Sequence, residues 1–218
     1  MTSNATPMYS IWKSLCIVRE MLSDRGYTPL EKEYTYEEFE ENHRDANDVE
    51  ELRKDLQLFC SRKNDTPVII VFWRTSIGTN HIQEIHGTMK ENGVTKAIII
   101  YNTKITAYGA SAIRYLRVQK IIIETFSEAE IQYNVTKHAD VPRHIICSAE
   151  KRASVMEKYS ATAEQFPKIK TTDPVCRYYG AVKGQMIKVL RPSDCSPEII
   201  TVTGEKKSLY NIHYLIVT

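Results

Sequence analysis

Cysteine and histidine are among the side chains in this 218-residue sequence that could bind a metal ion or take part in nucleophilic catalysis. Of the six histidines, His81 and His86 lie five residues apart on a predicted helix, a spacing that does not direct two rings at one ligand. The five cysteines are scattered singly, without the short pair spacings of zinc and redox sites: Cys16, Cys60, Cys147, Cys176 and Cys195. We therefore expect reduced thiols, no metal site and no cofactor.

Carboxylates could support a nuclease centre if they clustered with a lysine around a divalent metal ion. Asp65 precedes an apolar run at residues 68–73, but no acid-x-Lys follows it, and Glu84 lies on the next predicted helix. The sequence also lacks a Gly-rich phosphate loop and a Gly-x-Ser-x-Gly elbow. These absences predict that the protein is not an enzyme, with a degenerate nuclease-like domain as one alternative.

Basic side chains are unevenly distributed along the chain, which has a net charge of +2. Residues 1–132 carry 16 Lys and Arg against 19 Asp and Glu, a net charge of −3. Residues 133–218 carry 13 against 8, a net charge of +5. A basic C-terminal half leaves a free-standing nucleic-acid-binding module as a second alternative, although no aromatic stacking motif accompanies the charge.

Composition and apolar patterning favour a globular protein outside the membrane. Apolar residues make up 42% of the chain and charged residues 26%, which is ordinary globular usage. The longest apolar runs, residues 68–73 and 97–101, are much shorter than the roughly 20 residues of a membrane-spanning helix. The first nine residues lack the basic and apolar segments of a secretory signal, so we expect the protein to stay in the nucleocytoplasm.

The elements of the N-terminal half alternate between helix and strand. Apolar residues at three- and four-residue spacing predict a helix over 8–25, and a capping box at Thr35 and Glu38 begins a second helix. We interpret the acid-rich stretch that follows, to Asp55, as a solvated face. Further strands and helices are predicted at 56–61, 68–73, 81–92, 97–101, 107–117 and 120–125. Strands separated by helices favour parallel pairing, so residues 1–132 are predicted to form an α/β domain with a mixed, largely parallel sheet.

The C-terminal half, residues 133–218, is predicted to be a small α+β domain. It has a helix at 148–159, a polar linker-like stretch to Thr172, and strands at 185–191, 198–203 and 209–217. The last two strands are predicted to form a hairpin through residues 204–207. The strand at 185–191 is apolar on both faces, and a partner surface or the domain's own helix could cover them.

A short motif in this half contains residues that are typical of the start and the end of a helix. Asp173 can cap a short helix, Pro174 suits its first turn, and Gly180 can end it in the left-handed conformation. Gly184 and Gln185 then lead into the strand that ends at Pro192-Ser193.

This ordered series, which begins at Gln165 and ends at Ser193, resembles the signature of the fifth subunit shared by the eukaryotic nuclear RNA polymerases. The archaeal RNA polymerase contains a similar module as one of its small subunits. Residues 134–138 and 141–144 resemble the upstream part of the same signature. Trp12 and residues 24–27, 78–82 and 89–100 more loosely resemble the eukaryote-specific domain of that family, so the likeness covers nearly the whole chain.

The resemblance implies a non-catalytic polymerase subunit in the nucleus or nucleolus. Residues 1–132 would form part of a jaw beside downstream DNA, and residues 133–218 would dock on the largest subunit. By resemblance the residues of the assembly domain that bind partners are Asp173, Pro174, Arg177, Tyr178, Gly180, Gly184, Gln185, Lys188, Arg191, Pro192, Ser193, His138 and His144.

By resemblance to the family, loops at residues 75–81 and 103–111 would approach the DNA. The residues expected closest to it are Arg74, Thr75, Thr79, His81, Lys104 and Thr106. Because this half is acidic and these loops carry few cations, we expect weak contact with DNA, made only within the complex.

Some positions depart from the family pattern. Cys176 occupies a position that is usually alanine, and Asp194-Cys195-Ser196 replaces an acidic-Thr-Ala-Gly continuation. The C-terminal tail is also longer. These departures are compatible with a divergent paralogue assigned to one polymerase class.

Overall fold

The computed structural model describes residues 6–44, 48–62, 67–192, 199–200, 206–207 and 210–218. The chain divides into two compact units, residues 1–133 and 134–218. Asp65, Ser193 and the 194–196 segment lie outside the described residues.

The first unit alternates helices and strands. Its described helices are α1 (Pro7–Asp24), α2 (Tyr36–Asn42), α3 (Val49–Asp55), α4 (Thr79–Glu91) and α5 (Ala107–Val118). Its described strands are β1 (Thr28–Pro29), β2 (Gln57–Ser61), β3 (Ile69–Arg74), β4 (Lys96–Tyr101) and β5 (Ile122–Ser127).

These strands form one mixed sheet in the order β1-β2-β3-β4-β5. The β1–β2 and β2–β3 pairs are antiparallel, whereas β3–β4 and β4–β5 are parallel and connected by α4 and α5. The parallel pairs bring the carboxyl ends of β3 and β4 to the same edge of the sheet, with Arg74 opposite Tyr101.

Helices cover both faces of β3, which explains its continuous apolar run. Ile70 and Phe72 pack in one cluster with Ile85 of α4 and Leu116 of α5. Trp73 points to the opposite face, where its Nε1 donates to Ser14 Oγ of α1 at 2.9 Å. A strand buried on both faces is typical of a parallel sheet between helical layers.

The first two helices begin as their sequences predict. The buried stripe of α1 contains Ile11, Leu15, Val18 and Leu22. Thr35 caps α2 in a capping box, in which its side chain accepts from Glu38 N while Glu38 accepts from Thr35 N.

The interpretation of the acid-rich stretch as a solvated face was wrong in part. Residues 49–55 form α3, with Leu52 buried and Arg53 only 7% exposed. Arg53 pairs with Glu128, which follows β5, at 3.0 Å. Leu52 and Val49 are the apolar residues of an otherwise charged helix, and the pairing of Arg53 depends on a residue 75 positions away.

The second unit is a small sheet with a helix on each face. Its described helices are α6 (Ala149–Lys158) and α7 (Pro174–Tyr178), and a 3-10 turn lies at Val135–Lys137. Its described strands are β6 (Arg143–Ile146), β7 (Lys168–Ile169), β8 (Met186–Pro192), β9 (Ile199–Ile200), β10 (Lys206–Lys207) and β11 (Tyr210–Val217). The order β6-β8-β11-β7 is antiparallel except for the parallel β11–β7 pair. The predicted fold classes, α/β followed by α+β, are confirmed.

Two predictions for this unit need correction. Lys206 and Lys207 belong to a strand that pairs with β9, and β11 pairs with β8 rather than with the 198–203 segment. The stretch before Thr172 is not only a linker, because β7 joins the sheet and Phe166 packs against the core. The long apolar strand β8 favours a partner strand of similar length, and β11 pairs with it at seven positions.

The domain's own helices cover both apolar faces of β8. Ile187 and Val189 pack with Cys176 of α7, while Met186 packs with Val155 of α6. Burial of an aliphatic side chain of this size stabilises the fold by about 2 kcal/mol. Of the two explanations left open by the sequence, cover by the domain itself is the one that the structure shows for these three strand residues.

Candidate interaction surfaces

Helix α7 is fixed at both ends by residues of the motif. The Asp173 carboxylate accepts from Val175 N at 2.9 Å, and Pro174 occupies the first turn. At the other end Gly180 has a φ of +62°, which only glycine adopts readily, and Ala181 N donates to Cys176 O at 2.8 Å. These motif residues therefore set the geometry of the helix.

Tyr178 anchors α7 to the turn at residues 135–137. Its hydroxyl accepts from Asn134 Nδ2 at 2.8 Å, and both residues are buried. The Asn134 side-chain oxygen also accepts from Thr136 N at 2.9 Å, which shapes the turn. Cys176 is fully buried beside Tyr178, and burial, with a smaller contribution from Asp173, raises the pKa of its thiol to about 11. This thiol stays protonated at physiological pH and acts as a small apolar group.

Gly184 and Gln185 form the turn that leads into β8. Gly184 N donates to Val217 O and Val217 N donates to Gln185 O, each at 2.9 Å. The Gln185 side chain accepts from Val182 N at 2.9 Å. The turn is therefore joined to the last strand of the chain.

The remaining predicted residues of this unit lie on or near the sheet. His144 faces Val189 in the β6–β8 register and its Nδ1 donates to Pro142 O at 2.6 Å, whereas Arg191 of β8 is exposed. His138 is exposed after the 3-10 turn, and its Nδ1 accepts from Asp140 N at 3.3 Å. Lys188 and Pro192 belong to β8, and Arg177 to α7.

The two loops expected near DNA lie side by side at one edge of the first sheet. Ile77 N donates to Lys104 O at 3.0 Å, and Thr106 N donates to Ile77 O at 2.9 Å. Thr75 O accepts from both the amide and the hydroxyl of Thr103. The sequence indicated each loop separately, but the β-bridge that joins them, between Ile77 and Ile105, had no visible signal.

Each loop ends at the beginning of a helix. Thr106 caps α5 by accepting from Gly109 N at 3.0 Å. Gly78 precedes α4, where His81 Nδ1 accepts from the Gly78 amide at 3.3 Å. Thr79 is the first residue of α4. Two helix N-termini, with their partial positive charge, therefore lie at this edge of the sheet.

Gly109 allows α5 to approach the first loop, a requirement that the sequence interpretation missed. A Cβ at this position would lie 2.6 Å from Ile77 O, which is backbone. The glycine inside a predicted helix was the available signal, since a helix interior normally disfavours glycine.

Arg74 is not available to a phosphate in this structure. It is 4% exposed, and its Nη1 donates to Lys54 O and Trp73 O while its Nη2 donates to Glu84 at 3.1 Å. Burial lowers the pKa of its guanidinium, and the nearby Glu84 carboxylate partly offsets this effect. Arg74 therefore connects β3 to α3 and α4.

The surroundings of the loops are mixed in charge. A cleft of about 420 Å³ beside Thr75 and His81 is also lined by three carboxylates and one exposed lysine of α3: Glu50, Glu51, Asp55 and Lys54. Lys104 is exposed on the second loop. Carboxylates beside so few cations oppose tight binding of a polyanion.

Metal ligation and membrane insertion are two further possibilities for the described part of the chain. There, no three His, Cys, Asp or Glu side chains come close enough to hold a metal ion. Within the same residues, no helix is both long enough and apolar enough to span a bilayer.

Comparison with known proteins agrees with the two-unit organisation. Residues 5–89 match the family model "RNA polymerase Rpb5, N-terminal domain", and residues 133–202 match "RNA polymerase Rpb5, C-terminal domain". A Dictyostelium discoideum protein named "DNA-directed RNA polymerases I, II, and III subunit rpabc1" is 35% identical over 190 residues, which cover 84% of this chain and 91% of the relative. The chain belongs to the RNA polymerase Rpb5 family.

Other Rpb5-family relatives match over similar lengths. The Caenorhabditis briggsae "DNA-directed RNA polymerases I, II, and III subunit RPABC1" is 33% identical over 208 residues, covering 92% of this chain and 98% of the relative. The Arabidopsis thaliana "DNA-directed RNA polymerase subunit 5-like protein 1" is 29% identical over 196 residues, covering 88% and 93%. The predicted family resemblance is confirmed for both units of the chain.

Proposed function

We propose that this Rpb5-family protein is a non-catalytic subunit of a nuclear DNA-directed RNA polymerase. In this proposal residues 134–218 dock on the largest subunit, and residues 1–133 form part of the jaw next to downstream DNA. The observation that carries the proposal is the match of both units to Rpb5 models, together with 35% identity over most of the length of a relative named as a polymerase subunit. Because two of those relatives are named as subunits of polymerase I as well, the proposal includes the nucleolus.

The docking surface is assigned to those polar residues indicated by the family resemblance that remain accessible in the assembly domain. The apolar faces of β8 are covered from within the unit, so they do not need a partner. Arg191 and His138 are exposed, and Lys188 is half-buried on the same strand as Arg191. A guanidinium can make two parallel hydrogen bonds to a carboxylate of a neighbouring subunit, which makes Arg191 the strongest candidate for an anchor.

Charge reversal at Arg191 tests the docking proposal. Tagged full-length chain carrying Arg191→Glu should retain about a tenth or less of the largest subunit bound by the unmodified chain, as expected for loss of an arginine anchor. Lys151→Glu is the matched control, because Lys151 is exposed in the first turn of α6, where an acidic residue suits the helix. Equal recovery of the largest subunit with both variants would contradict the assignment of Arg191.

The contact with DNA is proposed to be weak and to depend on the polymerase. The two helix N-termini and Lys104 favour an approaching phosphate, whereas the neighbouring carboxylates of α3 oppose it. We assign five residues to the DNA-proximal surface: Thr75, Thr79, His81, Lys104 and Thr106. Arg74 lies buried beneath this surface and stabilises it through its bonds to α3 and α4.

Binding of labelled duplex DNA tests the proposal that the contact with DNA is weak and depends on the polymerase. The isolated full chain should bind a 30-base-pair duplex no more tightly than the 10⁻⁴–10⁻⁶ M of non-specific binding at physiological salt. In the assembled polymerase, Lys104→Glu should reduce cross-linking of the chain to downstream DNA, whereas Lys90→Glu, on the exposed end of α4, should not. Nanomolar binding by the isolated chain would instead favour an independent nucleic-acid-binding module.

A further inference from the structure

A groove of about 490 Å³ lies between α4 and α5 on the surface of the first unit. Ile82 of α4 and Ala112 and Leu116 of α5 form its floor, and Tyr108 and Tyr115 stand along one side. On α5 these positions recur at three- and four-residue spacing, so they form one continuous stripe. The groove therefore runs along the helices, which at 12 and 13 residues are about 18–20 Å long.

Large apolar and aromatic side chains of α5 are exposed to solvent on its side of this groove. Tyr108 is 80% exposed, Tyr115 is 66% exposed and the neighbouring Val118 is 83% exposed. None of these side chains contributes to the core cluster beneath α4 and α5. Contiguous exposed apolar surface beside a groove is a common feature of protein interaction sites, in which tyrosines often anchor the partner.

The absence of acidic residues in the groove and the basic residues nearby favour an acidic partner. None of the residues that line it is acidic. Helix α5 carries Arg114 and Arg117 but no Asp or Glu, and Lys120 follows it. Arg114 Nη2 donates to Ser111 Oγ, a groove residue, at 3.0 Å, which places its guanidinium beside the groove. This basic surface stands out because residues 1–132 have a net charge of −3.

We propose that the α4–α5 groove binds an acidic amphipathic helix of a protein other than the core polymerase. The groove length fits three to four helical turns, which would place aliphatic or aromatic side chains at i, i+3, i+4 and i+7 against Ile82, Ala112 and Leu116. Acidic side chains on one flank of that helix would face Arg114, which is held beside the groove by its hydrogen bond to Ser111. The surface goes beyond the proposed polymerase role, because it needs neither the docking unit nor DNA.

A synthetic peptide provides the direct test on the full 218-residue chain. The probe is a fluorescein-labelled 18-residue peptide with Leu and Phe at i, i+3, i+4 and i+7 and Glu or Asp at the remaining positions. It should bind saturably with a dissociation constant on the order of 10 μM. A scrambled peptide of the same composition, and one with Lys in place of every acid, should each bind about tenfold more weakly or not at all.

Variants identify the site of binding. Tyr108→Ala with Tyr115→Ala should weaken binding about tenfold or more, and Arg114→Glu should weaken it similarly. Tyr133→Ala is the matched control, since Tyr133 is 58% exposed and does not line the groove. Tyr108, Arg114 and Tyr115 are all exposed, so thermal melting temperatures should be unchanged. A photoreactive group at the peptide's central Leu should cross-link to residues 79–91 or 107–118.

Several results would overturn the proposal. They are the absence of saturable binding, equal binding of the scrambled or basic peptide, an equal loss with Tyr133→Ala, and cross-links outside α4 and α5. Tighter binding of a single-stranded or duplex oligonucleotide that is lost in the tyrosine double variant would assign the groove to nucleic acid and would also overturn it.

Discussion

At the scale of single residues, Gly109 lets α5 pack closely against the loop at residues 75–81 because it has no side chain. Alanine at Gly109 would place its Cβ 2.6 Å from Ile77 O, so α5 or the loop must move. We expect Gly109→Ala to lower the free energy of unfolding by about 1–3 kcal/mol, the usual cost of overpacking, in chemical denaturation. It should also weaken the proposed cross-link to downstream DNA.

Gly87 provides the matched control. It lies within α4, and a Cβ there meets nothing within 4 Å. Gly87→Ala should therefore raise stability by about 0.5–1 kcal/mol through helix propensity. If both substitutions changed stability in the same direction, the close approach at Gly109 would not be the cause.

The buried pair of Arg53 and Glu128 is a second residue-scale feature with structural consequences. Glu128 is 4% exposed, and its carboxylate also accepts from Ser10 Oγ at 2.8 Å and Asn102 Nδ2 at 3.2 Å. Removing the guanidinium leaves a buried carboxylate poorly paired, so Arg53→Met should cost about 3–5 kcal/mol in urea denaturation. The double variant with Glu128→Gln should lose less stability than Arg53→Met alone.

An exposed ion pair in the same unit provides the comparison with the buried pair of Arg53 and Glu128. Lys32 and Glu38 lie 3.4 Å apart, with side chains 73% and 45% exposed. Lys32→Met should therefore leave the midpoint of urea denaturation almost unchanged. Similar losses at Arg53 and Lys32 would contradict the structural role assigned to the buried pair.

At the scale of elements, the cap of α7 links a short motif to the assembly domain. Asp173→Ala removes the acceptor of the Val175 amide and should lower the free energy of unfolding by about 1 kcal/mol. Asp173→Asn keeps an acceptor oxygen and should have a much smaller effect. An equal loss with both variants would show that the charge of Asp173, rather than the cap, matters.

The elements with strong local signals were predictable from the sequence. The apolar stripe of α1 and the capping box of α2 each depend on residues close together in the chain. The partner of β11 was not predictable in this way, because pairing with β8 connects residues up to 30 positions apart. The two-residue strands β1 and β7 were missed for the same reason, since they exist only through their partners.

The candidate surfaces were predictable only in part. The motif positions of α7 have structural roles that their residue types indicate, as with Asp173 and Gly180. Arg74 was assigned to a DNA-proximal surface as a cation beside a loop, yet the carbonyls of α3 and Glu84 hold it inside the unit. Burial by a distant segment leaves no local signal in the sequence.

At the scale of the whole molecule, each of the two units is a sheet whose core is closed by its own helices. The first unit brings two loops and two helix N-termini to one edge of a sheet, and the second is a sheet covered from within that leaves polar residues at its surface. Membership of the Rpb5 family gives this arrangement its context, because relatives of nearly the same length are named as polymerase subunits.

Native purification of the tagged full-length chain from nuclei, followed by mass spectrometry of the intact complex, tests this account most directly. We expect the chain to be recovered in a one-to-one ratio with the largest polymerase subunit, and the identity of that subunit will show which polymerase class contains it. Recovery of the chain only as a free 25.1 kDa species, with no polymerase subunits in any fraction, would contradict the account.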